Sequence, residues 1–161
     1  MSPLPKDYQF THPELSYEAK PNFQTAIKVS VFFRKLEGIS YDDFFAHWQT
    51  VHADLTVATQ AFQDHILRYV QHHQTPEMKA RLASIGGNML DFDACAHLWV
   101  KDWDSWLVFY NSPEYAAALL EDCDRFIQMP ISYMVGSENL IVGKAFEPLG
   151  NTDGLSTNAS G

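Results

Sequence analysis

The sequence predicts an α+β protein with a ferredoxin-like βαββαβ fold. Four segments alternate apolar and polar residues with the period of two that is typical of strands, and two longer segments repeat apolar residues at helical spacing. These segments follow one another in the order β-α-β-β-α-β. Two right-handed crossovers in this order place both long helices on one face of a four-stranded sheet.

The first strand and the first long helix lie between residues 25 and 63. The segment "TAIKVSVFFRK" alternates strictly, which predicts the first strand. After the turn "LEGIS", Ser40 can cap a helix whose first turn carries Asp42 and Asp43, where the helix dipole favours negative charge. The apolar residues of this helix keep a single stripe to about residue 63. They are Phe44, Trp48, Val51, Leu55, Ala58 and Phe62.

The second half of the chain supplies the other three strands and the second long helix. "HILRYVQHH" predicts a strand, and "PEMKARLASIGGNML" predicts a short helix with a glycine stop. "DFDACAHLWVKD" predicts a third strand whose two faces differ, with Cys95, His97 and Trp99 on the more polar face. "WDSWLVFYNSPEYAAALLEDCDRFI" predicts two helical pieces around an Asn-Ser-Pro break, and "ISYMVGSENLIVG" predicts the last strand.

Length, charge and cysteine content limit the classes of function. The 161 residues fit one core domain at 25–144, with an irregular N-terminal arm at 1–24 and a flexible C-terminal tail at 145–161. A net charge of −9 without a basic stripe argues against nucleic acid or an anionic membrane as partner. The beginning of the chain has no apolar signal region and two cysteines form no disulfide framework, so we expect a cytoplasmic protein.

The stretch "HWQTVHADLT" places His47 and His52 five residues apart on the first long helix. At about 100° per residue they lie on opposite flanks of the apolar stripe, so we do not expect them to face each other. A zinc site on a helix uses histidines at i and i+4 with a further ligand, so this spacing predicts no metal site. His47 has Asp43 and Asp54 on its own side, which also suits a half-buried boundary residue without a chemical role.

Several motifs resemble those of the EthD family, and in particular those of fungal EthD-domain decarboxylases and dehydratases that tailor aromatic polyketides. They are "GISYDDFFAHWQTVHADLT", "RYVQHHQTPE", "DFDACAHLWV", "SPEYAAAL" and "MVGSENLIVGK", which together cover about residues 25–144. The resemblance implies a dimeric α+β barrel, no cofactor, and a small-molecule aromatic polyketide as substrate in a pocket between sheet and helices.

The resemblance leaves four functions open. The first is a lyase that decarboxylates an anthrone-type, atrochrysone-like carboxylic acid, and the second is a dehydratase of a naphthopyrone-type hemiketal. A cofactor-free anthrone monooxygenase and a non-catalytic polyketide-binding accessory protein are the others. Both lyase reactions need proton transfer near neutral pH, which histidine supplies, and His52 and His97 are the expected catalytic pair. The expected substrate-binding residues are His47, Tyr69, His73, Lys28, Ser30, Phe32 and Trp99.

One face of the predicted sheet has no helix over it. That face is expected to carry Phe32, Tyr69 and Trp99, an apolar and aromatic surface that needs cover. A second copy of the chain would supply this cover, so we expect a homodimer in which two sheets close face to face.

Overall fold

The chain forms the predicted ferredoxin-like α+β fold. The computed structural model describes residues 4–147 and 149–156. Its sheet has the strand order β2-β3-β1-β4, and β3 runs antiparallel to both of its neighbours. The four strands are β1 (Phe23–Lys35), β2 (Ile66–His73), β3 (Ala94–Val100) and β4 (Ile127–Asn139).

The helices alternate with the strands as the sequence predicts. Ser40 caps the first helix by accepting a hydrogen bond from the backbone N–H of Asp43, and Ser112 caps the last one in the same way. Within the described residues, no helix is both long and apolar enough to cross a membrane. The helices are α1 (Tyr41–His47), α2 (Ala53–Val57), α3 (Gln60–His65), α4 (Pro76–Ser84), α5 (Trp103–Tyr110) and α6 (Pro113–Phe126), with a 3-10 turn at Pro13–Leu15.

The first long helix is not continuous, and here the sequence prediction is wrong. A π-helical turn, Trp48–His52, joins α1 to α2. The helix ends at Val57, and Thr59 caps a separate helix, α3. A π turn closes hydrogen bonds five residues apart and therefore shifts every later side chain around the axis. As a result Val51, expected in the apolar stripe, is 49% exposed, while His52 is only 8% exposed.

The core lies between the sheet and the helices. It consists of two aromatic and aliphatic clusters, one around Phe33 and Trp48 and the other around Val29 and Phe109. The predicted alternation of β1 and β3 is confirmed, because the residues of one face of each strand lie in these clusters. Those residues are Ile27, Val29, Val31 and Phe33 on β1, and Ala94, Ala96, Leu98 and Val100 on β3.

The other face of the sheet, which we call the open face, carries the intervening residues. The register pairs Lys28 with Trp99 and Ser30 with His97, so these side chains share that face. Tyr69 was expected there too, but it packs against both core clusters on the helix side. The strand β2 instead places Arg68, which lies 4.9 Å from the centre of the Trp99 ring, on the open face.

The chain separates into two compact units. One is Thr25–Glu138, and the other combines the described parts of Met1–Gln24 and Asn139–Gly161. In the second unit the Asn22 amide donates a hydrogen bond of 2.9 Å to the Thr152 carbonyl, and Val142 forms a parallel bridge with Leu155. The described part of the tail that was expected to be flexible is therefore hydrogen-bonded, while Pro148 and residues 157–161 lie outside the described residues.

Candidate active site

The most distinctive polar group of the Thr25–Glu138 unit is a carboxylate held between two imidazoles, which we call the His-Asp-His cluster. It consists of His47, His52 and Asp122. His47 Nε2 lies 2.9 Å from Asp122 Oδ1, and His52 Nδ1 lies 2.8 Å from Asp122 Oδ2. The aspartate is 6% exposed and His52 is 8% exposed, while the side chain of His47 remains 27% exposed. The cluster is therefore buried at His52 and reaches solvent at His47.

The π turn explains why two histidines five residues apart contact one carboxylate. In a regular α-helix they would be separated by about 140° around the axis. The i to i+5 hydrogen bonds of the π turn bring positions five apart toward the same side. The two histidines were expected on opposite flanks of the apolar stripe, but both contact Asp122, which is the partner of His47 rather than Asp43 or Asp54.

Asp122 is a buried residue of α6. It lies on the buried stripe of α6 with Leu119 and Phe126, at intervals of three and four residues. The ring of Phe126 lies 4.9 Å from both imidazoles, which fills the space beneath the cluster. An aspartate within an apolar stripe was the sequence signal that could have revealed it.

The hydrogen bonds fix which nitrogen of His52 can exchange a proton. When Asp122 is ionised it only accepts hydrogen bonds, so Nδ1 of His52 must carry the hydrogen. Nε2 is then the nitrogen that takes up or releases a proton. Burial lowers the pKa of His52 below 6.5, and the hydrogen bond to Asp122 and its charge oppose this effect. A histidine oriented by a carboxylate in this way can act as a general acid or base.

Strand β2 adds polar side chains on the same side of the sheet. The Gln71 amide donates hydrogen bonds of 2.9 Å to the Tyr69 hydroxyl and to the Trp48 carbonyl, and His73 donates to the Gln71 oxygen at 3.2 Å. The ring of His73 stacks on Phe45 at 4.8 Å and on Trp48 at 4.7 Å. Burial raises the pKa of Tyr69, so its phenol stays a hydrogen-bond donor over the physiological range.

The neighbouring thiol and phenol of α6 are also kept neutral. Burial raises the pKa of Cys123 to about 11, and it raises the pKa of Tyr115 as well. Cys123 packs on the same core cluster as Trp48 and Phe126. Neither group therefore adds a negative charge beside the His-Asp-His cluster.

A second polar group lies on the open face. Ser30 Oγ lies 2.9 Å from His97 Nδ1, and Cys95 Sγ lies 3.8 Å from the same nitrogen. The His72 ring, from β2, is 5.8 Å from the His97 ring. The pKa of His97 is lowered by burial and by the charges of Lys28 and His72.

A row of charged and aromatic side chains crosses the open face next to His97. Lys28 Nζ lies 3.5 Å from Glu138 Oε2 and 5.1 Å from the centre of the Trp99 ring, whose indole N–H donates to Glu138. Lys28 thus already has an anionic partner. At the other end of this face Phe32 lines a cavity of about 220 Å³ together with His72, Gln74, Leu90, Phe92, Ala94 and Cys95.

The structure divides the expected site residues between the two sides of the sheet. His52 contacts Asp122 and Phe126 on the helix side, while His97 contacts Ser30 on the open face. They cannot transfer protons to one bound substrate within a single copy of the chain. The helix side holds His47, His52, Tyr69 and His73, and the open face holds Lys28, Ser30, Phe32, His97 and Trp99.

The ligand chemistry of these clusters does not point to a metal ion. In the part of the chain that the structure describes, no group of three or more His, Cys, Asp or Glu side chains is arranged to hold one. In the His-Asp-His cluster, the nitrogen of each imidazole that faces the carboxylate is used in a hydrogen bond. Each of these hydrogen bonds orients an imidazole, as a general acid or base requires.

Comparison with known proteins gives one family and a set of similar folds. The EthD domain model matches residues 36–130. A dabb family protein with a ferredoxin-like fold from Mesorhizobium loti is 11% identical, with 70% of this chain and 96% of that chain covered and a TM-score of 0.49. An ethyl tert-butyl ether D family protein from Bacillus halodurans is 16% identical (70% and 98%, TM-score 0.49). A hydroxynitrile lyase from Passiflora edulis is 14% identical (71% and 94%, TM-score 0.47). No curated protein matches the chain.

Proposed function

Because the chain belongs to the EthD domain family, we propose that it is a cofactor-independent lyase of fungal aromatic polyketide biosynthesis that decarboxylates an anthrone-type, atrochrysone-like carboxylic acid. One observation carries the proposal. His52 is a buried histidine whose Nδ1–H donates to a buried carboxylate, which leaves Nε2 as its proton-exchanging atom. The resemblance of its motifs to those of fungal polyketide decarboxylases supports the substrate class.

The proposed reaction exchanges a carboxyl group for a proton. The bond between the ring carbon and the carboxyl carbon breaks, and its electron pair passes into the adjacent carbonyl system as CO2 leaves. The ring carbon then takes a proton from Nε2 of protonated His52, which returns to its neutral form. Atoms and charge balance, since one carboxylate and one proton give CO2 and the hydrogen-substituted ring.

The aromatic side chains and Tyr69 supply the other requirements of this reaction. The ring of Phe126 contacts His52 and belongs to the same aromatic core cluster as Trp48, and such aromatic surface suits a planar substrate. Charge that develops on the substrate oxygen needs a hydrogen-bond donor. Tyr69 packs on the same cluster as these rings, and its neutral phenol is the proposed donor. His47 and His73 are the proposed polar neighbours of the bound substrate.

The proposed enzyme works as a homodimer in the cytosol. Strand β4 exposes apolar side chains along its length, including Tyr133 at 45%, Met134 at 68% and Val135 at 44%. A second copy that covers the open face and this strand would remove that surface from water. Both cysteines, Cys95 and Cys123, are free thiols, which suits a reducing compartment.

Mass spectrometry of the purified protein with an anthrone-type carboxylic acid tests the proposal directly. Loss of CO2 is expected, whereas loss of water from a hemiketal substrate would identify a dehydratase and oxygen uptake would identify a monooxygenase. In His52→Gln the rate should fall by roughly 10²- to 10⁴-fold, the usual contribution of a positioned acid or base. His65→Gln, at the end of α3, is the matched control. Ligand binding without turnover in the unmodified protein would indicate a carrier.

An equal loss of rate in His97→Gln would contradict the assignment of the chemistry to the helix side. His97 has a partner, Ser30, of its own, so its replacement tests the open face independently. The expected result is that only the helix-side variant loses the chemical step. The folded state of each variant is checked by circular dichroism before the rates are compared.

A further inference from the structure

Asp122 offers one negative charge to two imidazoles. Each carboxylate oxygen contacts a different ring, Oδ1 that of His47 and Oδ2 that of His52. One protonated histidine makes the cluster neutral, and two make its net charge +1. The two imidazoliums would repel each other, because both contact the same carboxylate and both lie 4.9 Å from the ring of Phe126.

The surroundings decide which histidine is protonated first. His47 is partly exposed and keeps some hydration, whereas His52 is buried, and a charge costs more to place there. The charged groups acting on His52 are Asp122 from α6 and His47 from its own helix. From α6 and β2, Cys123 and Tyr69 add no charge because both stay protonated. The second proton therefore needs a new negative charge beside the cluster.

We propose that the His-Asp-His cluster takes up a proton together with an anionic carboxylic acid, and that His47 is the positioning residue that keeps His52 unprotonated until this anion binds. The inference rests on the proposed lyase function and names its substrate as a carboxylate rather than a neutral hemiketal. With one imidazole protonated, the unliganded cluster has no net charge. The bound carboxylate offsets the repulsion between the two imidazoliums, and His52 then accepts the second proton.

This coupling fits the proton balance of decarboxylation. The reaction consumes one proton for each CO2 released, and dehydration consumes none. A proton that enters with the substrate anion is transferred from His52 to the ring carbon. The cluster is then neutral again, because the second proton is now bonded to the ring carbon. Binding and release are thereby linked to the charge state of two residues.

Proton uptake on binding can be measured by isothermal titration calorimetry in buffers that differ in ionisation enthalpy. The probe is anthraquinone-2-carboxylate, and 2-(hydroxymethyl)anthraquinone is its neutral counterpart. The unmodified protein should take up about half a proton or more per bound acid near pH 7, and close to none with the neutral compound. Equal uptake with both compounds would overturn the proposal.

His47→Gln separates the coupling from binding itself. The glutamine amide can still donate to Asp122 Oδ1. Because no second imidazole then competes for the charge of the carboxylate, His52 can be protonated before the ligand binds. Uptake should therefore fall to less than half of the unmodified value, and the pH at which His52 titrates in the rate profile should rise. His65→Gln should leave the uptake unchanged. Unchanged uptake in a folded His47→Gln variant would refute the role of His47.

The unmodified protein provides a second test that needs no variant. Uptake should pass through a maximum as the pH is varied, because at low pH the cluster is already fully protonated before the anion binds and at high pH it stays unprotonated afterwards. A flat profile would contradict the proposal. Decarboxylation without coupled proton uptake would support the lyase function and refute this inference. Coupled proton uptake without turnover would support this inference and refute the lyase function.

Discussion

The shared carboxylate makes replacement of Asp122 the most informative single perturbation. In Asp122→Ala both imidazoles lose their acceptor at once. In Asp122→Asn one oxygen remains, and the amide N–H₂ group can donate to the other imidazole if that ring changes its tautomer. The two variants therefore separate loss of hydrogen bonding from loss of charge, and their difference can be predicted from the exposure of each histidine.

The expected cost of Asp122→Ala follows from those exposures. His52 is buried, so the hydrogen bond that it donates to a charged acceptor is worth about 1.5–3 kcal/mol. His47 is partly exposed, so water can replace the carboxylate there and its share is about 0–1 kcal/mol. The sum is a loss of about 1.5–4 kcal/mol in the free energy of unfolding. Asp122→Asn should lose less than half of that.

Urea unfolding followed by circular dichroism measures these losses. Activity should fall in both variants by roughly 10²-fold or more, because neither retains the charge that stabilises protonated His52. In a His52→Gln background, Asp122→Ala should cost less than it does alone, and this double-mutant cycle isolates the pair. An Asp122→Ala variant as stable as the unmodified protein would refute the account of the cluster.

Three further outcomes are expected. Burial lowers the pKa of His52, His73 and His97, so below about pH 6.5 the folded chain binds fewer protons than the unfolded chain. These histidines should therefore leave the free energy of unfolding undiminished above that pH and reduce it as the pH drops through the lowered pKa values, which thermal unfolding would show. Met134→Glu, on exposed β4, should shift a dimer toward monomer in light scattering, and an unmodified monomer at micromolar concentration would disprove the assembly. Activity should survive exhaustive chelation, and loss that zinc restores would contradict it.

The fold could be predicted because the strands have strongly different faces. Alternation in β1 and β3 assigns Val29 and Leu98 to the helix side and His97 to the other side, and the structure agrees at each of these positions. The helix caps Ser40 and Ser112 were equally visible, since a side-chain oxygen before a helical stretch has a definite partner in the first turn. These features depend on local spacing alone.

The site could not be predicted because it depends on a departure from regular spacing. The π turn rotates His52 into the interior and Val51 out of it, and no residue in "WQTVH" requires such a turn. Tyr69 was misplaced for a related reason, since β2 has an irregular register between Ile66 and Arg68. A shift of one residue moves every later side chain to the other face of a strand.

Because the sheet separates His52 from His97, the effect of dimerisation on the reaction rate depends on which side of the sheet holds the chemistry. A second copy that closes over the open face would enclose His97 and Ser30, whereas the contacts of His52 with Asp122 and Phe126 lie among the helices of a single chain. If the chemistry belongs to the helix side, a variant that weakens the dimer should lower stability more than it lowers the rate of the chemical step. Met134→Glu tests this as well, because β4 lies at the edge of the sheet and none of the three cluster residues is on it. A loss of decarboxylation that tracks the monomer fraction, with each monomer still folded, would show instead that the site is completed by the partner.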